Sequence, residues 1–235
     1  MCGRIPLVLL PGLLCDDALW KHQVAALDDV ADCQVMVMTE DDTMAGMAAK
    51  VLAQAPAKFA LAGLSMGGYC AFEIMRQAPD RVARLALLDT SHEADAPSRR
   101  SERLAWIAKA KLQGLEALIP DHMAMWFHPE HLKDEALVTV AAQSARNVGL
   151  AAYERQLTAI MDRLDSAPTL ALISCPTLVL CGRQDMATPL HLHEAMADGI
   201  EGAELVVVED SGHLSTLEKP DVVSAALRRW LGVSV

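Results

Sequence analysis

The stretch Gly63-Leu64-Ser65-Met66-Gly67-Gly68 directly follows the apolar run Phe59-Ala60-Leu61-Ala62, and it constrains this chain more than any other segment. A G-x-S-x-G that closes a buried strand and opens a helix demands a turn so tight that the serine stands clear of the sheet edge. The glycines permit that turn. A side chain at Gly63 or Gly67 would collide with the adjoining strand and helix, and Gly68 lets the following helix approach the sheet. The helical pattern of residues 69–75 adds free N–H groups and a dipole that favour negative charge beside Ser65. Two glycines around a serine occur in many ordinary turns; here the strand before and the helix after supply the context the motif requires.

Such a serine becomes a nucleophile when a base takes its proton and a carboxylate orients the base. In strand–turn–helix settings of this kind the order along the chain is Ser, then Asp or Glu, then His. Residues 175–181 read as a buried strand, and the loop 182–189 follows, with Pro189 suited to start a helix. Asp185 then lies at a strand's C-terminal edge. The next strand, Glu204–Val208, runs into Glu209-Asp210-Ser211-Gly212-His213 and places His213 at the same edge. Asp89, at the end of strand 83–88, competes with Asp185; its other reading is a cap for the segment that follows.

With Leu10-Pro11-Gly12-Leu13 added to these segments, nearly the whole chain resembles an α/β-hydrolase of the kind that carries a helical cap between the sixth and seventh strands of the usual numbering. The resemblance implies Ser65 as nucleophile, Asp185 as acid and His213 as general base, and the G-x-x-D-x-x-x-P setting favours Asp185 over Asp89. It implies an oxyanion hole made by the backbone N–H groups of Met66 and Leu13, where relatives often carry His-Gly and this chain has Pro11-Gly12. No cofactor is implied. A serine rather than an aspartate nucleophile argues against haloalkane dehalogenases and epoxide hydrolases. The expected activity is hydrolysis of a small, mainly apolar carboxylic ester or lactone through an acyl-enzyme. Carbon–carbon bond hydrolysis or elimination in the same fold, and a small-molecule receptor that retains the triad, are the alternatives.

At 235 residues with 52% apolar and 4% aromatic content, the chain can bury a large aliphatic core as one domain. The expected fold class is α/β, a mostly parallel sheet of about six strands with flanking helices. The strands fall at 5–10, 34–38, 59–62, 83–88, 177–180 and 204–208; the two leading strands of many relatives are expected to be missing. Residues 1–90 and 171–235 form the core in this reading. Residues 91–170 form the cap, with amphipathic helices at 98–118, 133–145 and 150–164. Trp126 and Phe127 are the leading pocket walls, with Met123, Trp106, Met125, Met161 and Cys15 as further candidates; packing of cap against core is the competing reading.

A net charge of −11 argues against nucleic acid or an anionic membrane as partner. With strand 5–10 starting so early, no signal peptide is expected, and no apolar run approaches the roughly 20 residues that span a bilayer. Cys2, Cys15, Cys33, Cys70, Cys175 and Cys181 contain no C-x-x-C, which points to a cytoplasmic protein. No metal site is expected, because the close pairs His191/His193 and His128/His131 lack a convincing third ligand. Arg99, Arg100, Arg103, Lys109 and Lys111 stand against Glu102 alone, a stretch that suits a carboxylate, a phosphate or an acidic carrier protein; a solvated helix face is the plainer reading.

Overall fold

The computed structural model describes residues 3–232, so Cys2 lies outside the described residues. Six strands, β1 (Ile5–Leu10), β2 (Ala31–Val35), β3 (Phe59–Leu64), β4 (Val82–Leu88), β5 (Thr177–Gly182) and β6 (Glu204–Val208), form one sheet in the order β2-β1-β3-β4-β5-β6. Every pairing is parallel. β3 and β5 are buried at each residue, which explains their unbroken apolar sequences: strands covered on both faces have no solvent side to mark with polar residues.

Topology then selects the location of the site. The chain moves outward from β1 to β2, returns past β1 to β3, and continues in the other direction, so the loops after β1 and β3 part from one another at the sheet's C-terminal edge. Crevices of open parallel sheets form at such reversals. Register pairs Leu10 with Gly63, Leu64 with Leu88, and Gly182 with Val208, which brings the strand ends to that common edge. The flanking helices are α1 (Lys21–Ala26), α2 (Met44–Gln54) and α3 (Met66–Gln77), with α7 (Ala167–Leu170), α8 (Leu190–Gly199), α9 (Ser215–Glu218) and α10 (Pro220–Trp230) late in the chain. Between β4 and β5 lie α4 (Pro97–Gln113), α5 (Ile119–Trp126) and α6 (Glu135–Met161).

Several boundaries differ from the sequence reading. β2 ends at Val35 rather than Met38; Met36 and Met38 stay buried beyond the strand, which extends the apolar pattern past the last pairing. β5 runs on to Gly182. The helix expected over 98–118 stops at Gln113, because Gly114 takes φ 84°, and α5 is a separate helix that the pattern did not reveal. α6 joins most of both later expected helices, 133–145 and 150–164, across a break at Gly149, whose φ 77° and ψ 168° are open only to glycine. Among the described residues, no helix is long and apolar enough to cross a membrane.

Candidate active site

Ser65 stands between β3 and α3 with φ 54° and ψ −115°, a conformation that costs a non-glycine residue of order 1–3 kcal/mol. Its surroundings enforce it. A Cβ on Gly63 would overlap the Gly67 carbonyl, and one on Gly67 would overlap the Leu10 carbonyl of β1. Ser65 N–H donates to Leu88 O at 3.0 Å, and the Thr90 hydroxyl donates to Ser65 O at 2.8 Å. Residues at the end of β4 therefore hold the turn by both its N–H and its carbonyl.

His213 Nε2 lies 2.9 Å from Ser65 Oγ, and Nδ1 lies 2.8 Å from Asp185 Oδ2. A carboxylate at Nδ1 assigns the ring proton there, leaving Nε2 to accept from the serine hydroxyl. Asp185 Oδ1 accepts from Ala187 N–H at 2.8 Å and Thr188 N–H at 2.9 Å, and Oδ2 accepts from the Thr188 hydroxyl at 2.7 Å. Burial alone would raise the Asp185 carboxyl; the charge and hydrogen bond of His213, with the Thr188 donors, outweigh it and hold the group below its ordinary range. Burial would depress His213, but the Asp185 charge and hydrogen bond leave the imidazole above its ordinary value.

Asp89 is buried at φ 43° and makes no hydrogen bond to His213. Its Oδ1 accepts from Gly182 N–H at 2.9 Å, and Oδ2 accepts from the Ser215 N–H at 3.3 Å and the Ser215 hydroxyl at 2.5 Å. Burial, then repulsion by Asp185, push its carboxyl up to about 8. Asp89, Cys181 and Asp185 bring possible ligand atoms within 4.8 Å of one another. Both carboxylates are already engaged by the donors above, and burial pushes the Cys181 thiol far from ionisation, so this donor set does not fit a metal. Of the two histidine pairs, His193 Nε2 accepts from Thr90 N–H at 2.9 Å, His128 Nδ1 accepts from Glu130 N–H at 3.2 Å, and His131 Nδ1 meets Glu218 Oε2 at 2.7 Å.

Met66 opens α3, where a backbone N–H has no intrahelical acceptor. Leu13 lines the space above Ser65. Its neighbour Leu14, at φ 58°, directs its own N–H away to Gln156 Oε1 of α6 at 3.1 Å, and Gln156 Nε2 donates to Met38 O at 2.8 Å. A buried amide on the cap thus fixes the loop that follows β1.

The cleft over Ser65 and His213 is narrow, with about 40 Å³ of free volume. Trp106, Met125 and Trp126 line it from the cap, and Cys15 lines a small void beside Ser65. Phe127, Met123 and Met161 line neither space. Phe127 has left α5 with φ −93° and ψ 148°, which takes its ring off the helix face that carries Trp126. Met123, one turn back, is sealed into the core packing. On α6 it is Ile160 that faces the cleft, and a helical neighbour such as Met161 points about 100° away. The sequence reading did not single out Tyr69, Ile160 or Thr188, and for Arg99 and Arg103 it preferred a solvated face over an anion site; all five line the cleft.

Two ties join the cap to the histidine loop. His213 N–H donates to Trp126 O at 2.7 Å. Glu218, five residues after His213, accepts from Gly212 N–H at 2.9 Å and Leu214 N–H at 3.3 Å with Oε1, and from His128 N–H at 2.8 Å with Oε2. An acid so close behind His213 and just before Pro220 was the available sequence signal for this clamp.

The profile of the alpha/beta hydrolase fold matches residues 10–220. A 3-oxoadipate enol-lactonase of Acinetobacter baylyi is 27% identical over 175 residues; the match takes in 72% of this chain and 63% of the relative, just under two thirds of its length. A thermophilic esterase from Thermogutta terrifontis superposes with a TM-score of 0.88 at 29% identity, over 98% of this chain and 90% of the other. An enol-lactonase from Burkholderia xenovorans, 24% identical, shares the fold with a TM-score of 0.89 over 98% and 92% of the two chains. Since the match runs from the end of β1 into α10, through cap and core alike, the chain belongs to the alpha/beta hydrolase fold family.

Proposed function

We propose that this protein hydrolyses a small carboxylic ester or lactone by an acyl-enzyme mechanism, with Ser65 as nucleophile. The observation that carries the reading is the continuous hydrogen-bonded chain from Ser65 Oγ through His213 to Asp185, at the floor of a cleft roofed by the cap. His213 Nε2 takes the hydroxyl proton as Oγ bonds to the carbonyl carbon, and the resulting oxyanion is held by the N–H groups of Met66 and Leu13. Collapse breaks the bond to the alcohol oxygen, which leaves with the proton from His213. A water deprotonated by the same imidazole then releases the acid and restores Ser65. No cofactor takes part. Esterases and lactonases among the relatives support carbonyl hydrolysis as the reaction type. The free thiols Cys15, Cys33, Cys70, Cys175 and Cys181 fit a reducing compartment such as the cytoplasm. Replacing Ser65 by Ala is expected to lower kcat on the best ester of a short-chain ester and lactone panel by about 10⁴–10⁶ without unfolding the protein. Retention of a tenth of the activity would remove Ser65 from this role.

A further inference from the structure

The cleft wall carries more positive charge than its own carboxylates neutralise. In the stretch 99–111, Arg100 meets Asp162 at 2.7 Å, Lys109 meets Asp121 at 2.8 Å and Lys111 meets Glu154 at 2.9 Å. Arg99 has no comparable partner: its Nε is 4.0 Å from a half-exposed Glu102, and Nη1 has only the Ala187 carbonyl at 3.5 Å. Arg103 is buried and meets Asp95 through Nε at 2.9 Å and Nη2 at 3.0 Å. Arg163 claims the same carboxylate at 2.9 Å and also donates to the Ile160 and Glu93 carbonyls, with the guanidinium 4.3 Å from the Tyr69 ring centre. One buried acid thus serves two buried guanidinium groups. Arg103 Nη1 makes no hydrogen bond among the described residues, and Arg103 and Arg99 both line the cleft that contains Ser65 and His213. Among the described residues, no carboxylate lines it with them.

Guanidinium groups with spare donors in a partly desolvated wall match a planar anion, and a carboxylate takes them in paired hydrogen bonds. Resting on the serine-hydrolase reading above, we propose that Arg99 and Arg103 form a carboxylate seat, and that the natural substrate is an ester or lactone bearing a free carboxylate a few carbons from the scissile carbonyl. The seat discriminates by charge what the apolar walls Trp106 and Trp126 cannot discriminate by shape. A neutral ester of the same length leaves Arg99 and the Arg103 Nη1 unmatched.

The test compares monomethyl and dimethyl esters of succinate, glutarate and adipate, read as the ratio of kcat/KM for each hemiester over its diester. A parallel titration follows tryptophan fluorescence as the free dicarboxylates are added, since two tryptophans line the cleft. At least one hemiester is expected to exceed its diester by about tenfold, the scale of one charge-assisted hydrogen-bond pair. Arg99→Gln and Arg103→Lys, the second keeping the charge beside Asp95, are each expected to cut that ratio by about tenfold, and Arg99→Gln to weaken dicarboxylate binding similarly. Arg100→Gln removes an equal charge outside the cleft and leaves the ratio where it was. Ratios at or below one for all three acids, or a ratio that Arg99→Gln does not move, overturn the seat while leaving the hydrolase reading intact. If no ester is turned over, the hydrolase reading fails and the titration alone decides: saturable binding that requires Arg99 keeps the seat, and its absence ends it.

Discussion

Two buried aspartates lie within reach of one another beside the same imidazole, and their surroundings make them different acids. Asp185 receives the His213 Nδ1–H and three further donors, a set that stabilises its ionised form. Asp89 faces the Asp185 charge in a dry site, is pushed up to about 8 and spends its oxygens on Gly182 and Ser215. The acid that orients His213 must be the ionised one. Asp185→Asn is therefore expected to lower kcat by about 10⁴, as when an imidazole loses its correct tautomer. Asp89→Asn leaves the hydrogen bonds of Asp185 to His213 and Thr188 in place, and a loss within about tenfold is expected. Steady-state kinetics of both variants settle the matter, and the reverse order of losses would transfer the role to Asp89.

At the scale of elements, the helix α5 carries the cap's most acid-sensitive point. His122 is buried and stacks on Trp126 with ring centres 5.0 Å apart and planes at 4°. It meets the edge of Trp106 at 5.0 Å, and its Nε2 is 2.9 Å from the Tyr153 hydroxyl. Burial pulls its pKa down to about 4, and His193, whose Nε2 must stay unprotonated to accept from Thr90, is likewise held at about 4. Both groups titrate near 6.5 in the unfolded chain. Below that value the unfolded state binds more protons, so their contribution to stability falls as pH drops from about 6.5 towards about 4 and then levels off. His122→Gln removes one of these terms. Urea midpoints are expected to show the wild type losing about 1–3 kcal/mol more than the variant between pH 6.5 and 4.5; parallel curves would contradict the assignment.

Across the whole molecule, what was legible in the sequence was local chemistry. The Ser65 turn declares itself through glycines that no other residue could replace, and Asp185 and His213 through loops that end apolar strands. Parallel strands buried on both faces were equally visible as unbroken apolar runs. The cap's place in the chain was legible too, as a long run of helical pattern between two strands; its contacts were not, because they join distant segments. Gln156 reaches a loop 142 residues away, and Glu218 holds a backbone N–H 90 residues away. The basic run 99–111 looked uniform along the chain; only the fold shows that Asp162, Asp121 and Glu154 neutralise its outer members and leave Arg99 unmatched at the cleft. A residue's helix can be read from spacing, but which neighbour its charge meets cannot.

Acyl transfer through Ser65 leaves a covalent adduct with a defined address. Rapid quenching of the wild-type protein with an activated short-chain ester, followed by peptide mass spectrometry, reads that address directly. An acyl group is expected on the peptide containing Ser65, formed before steady turnover and decaying with it. An acyl group on a different residue, or steady ester turnover with Ser65 unmodified at every time point, would contradict it.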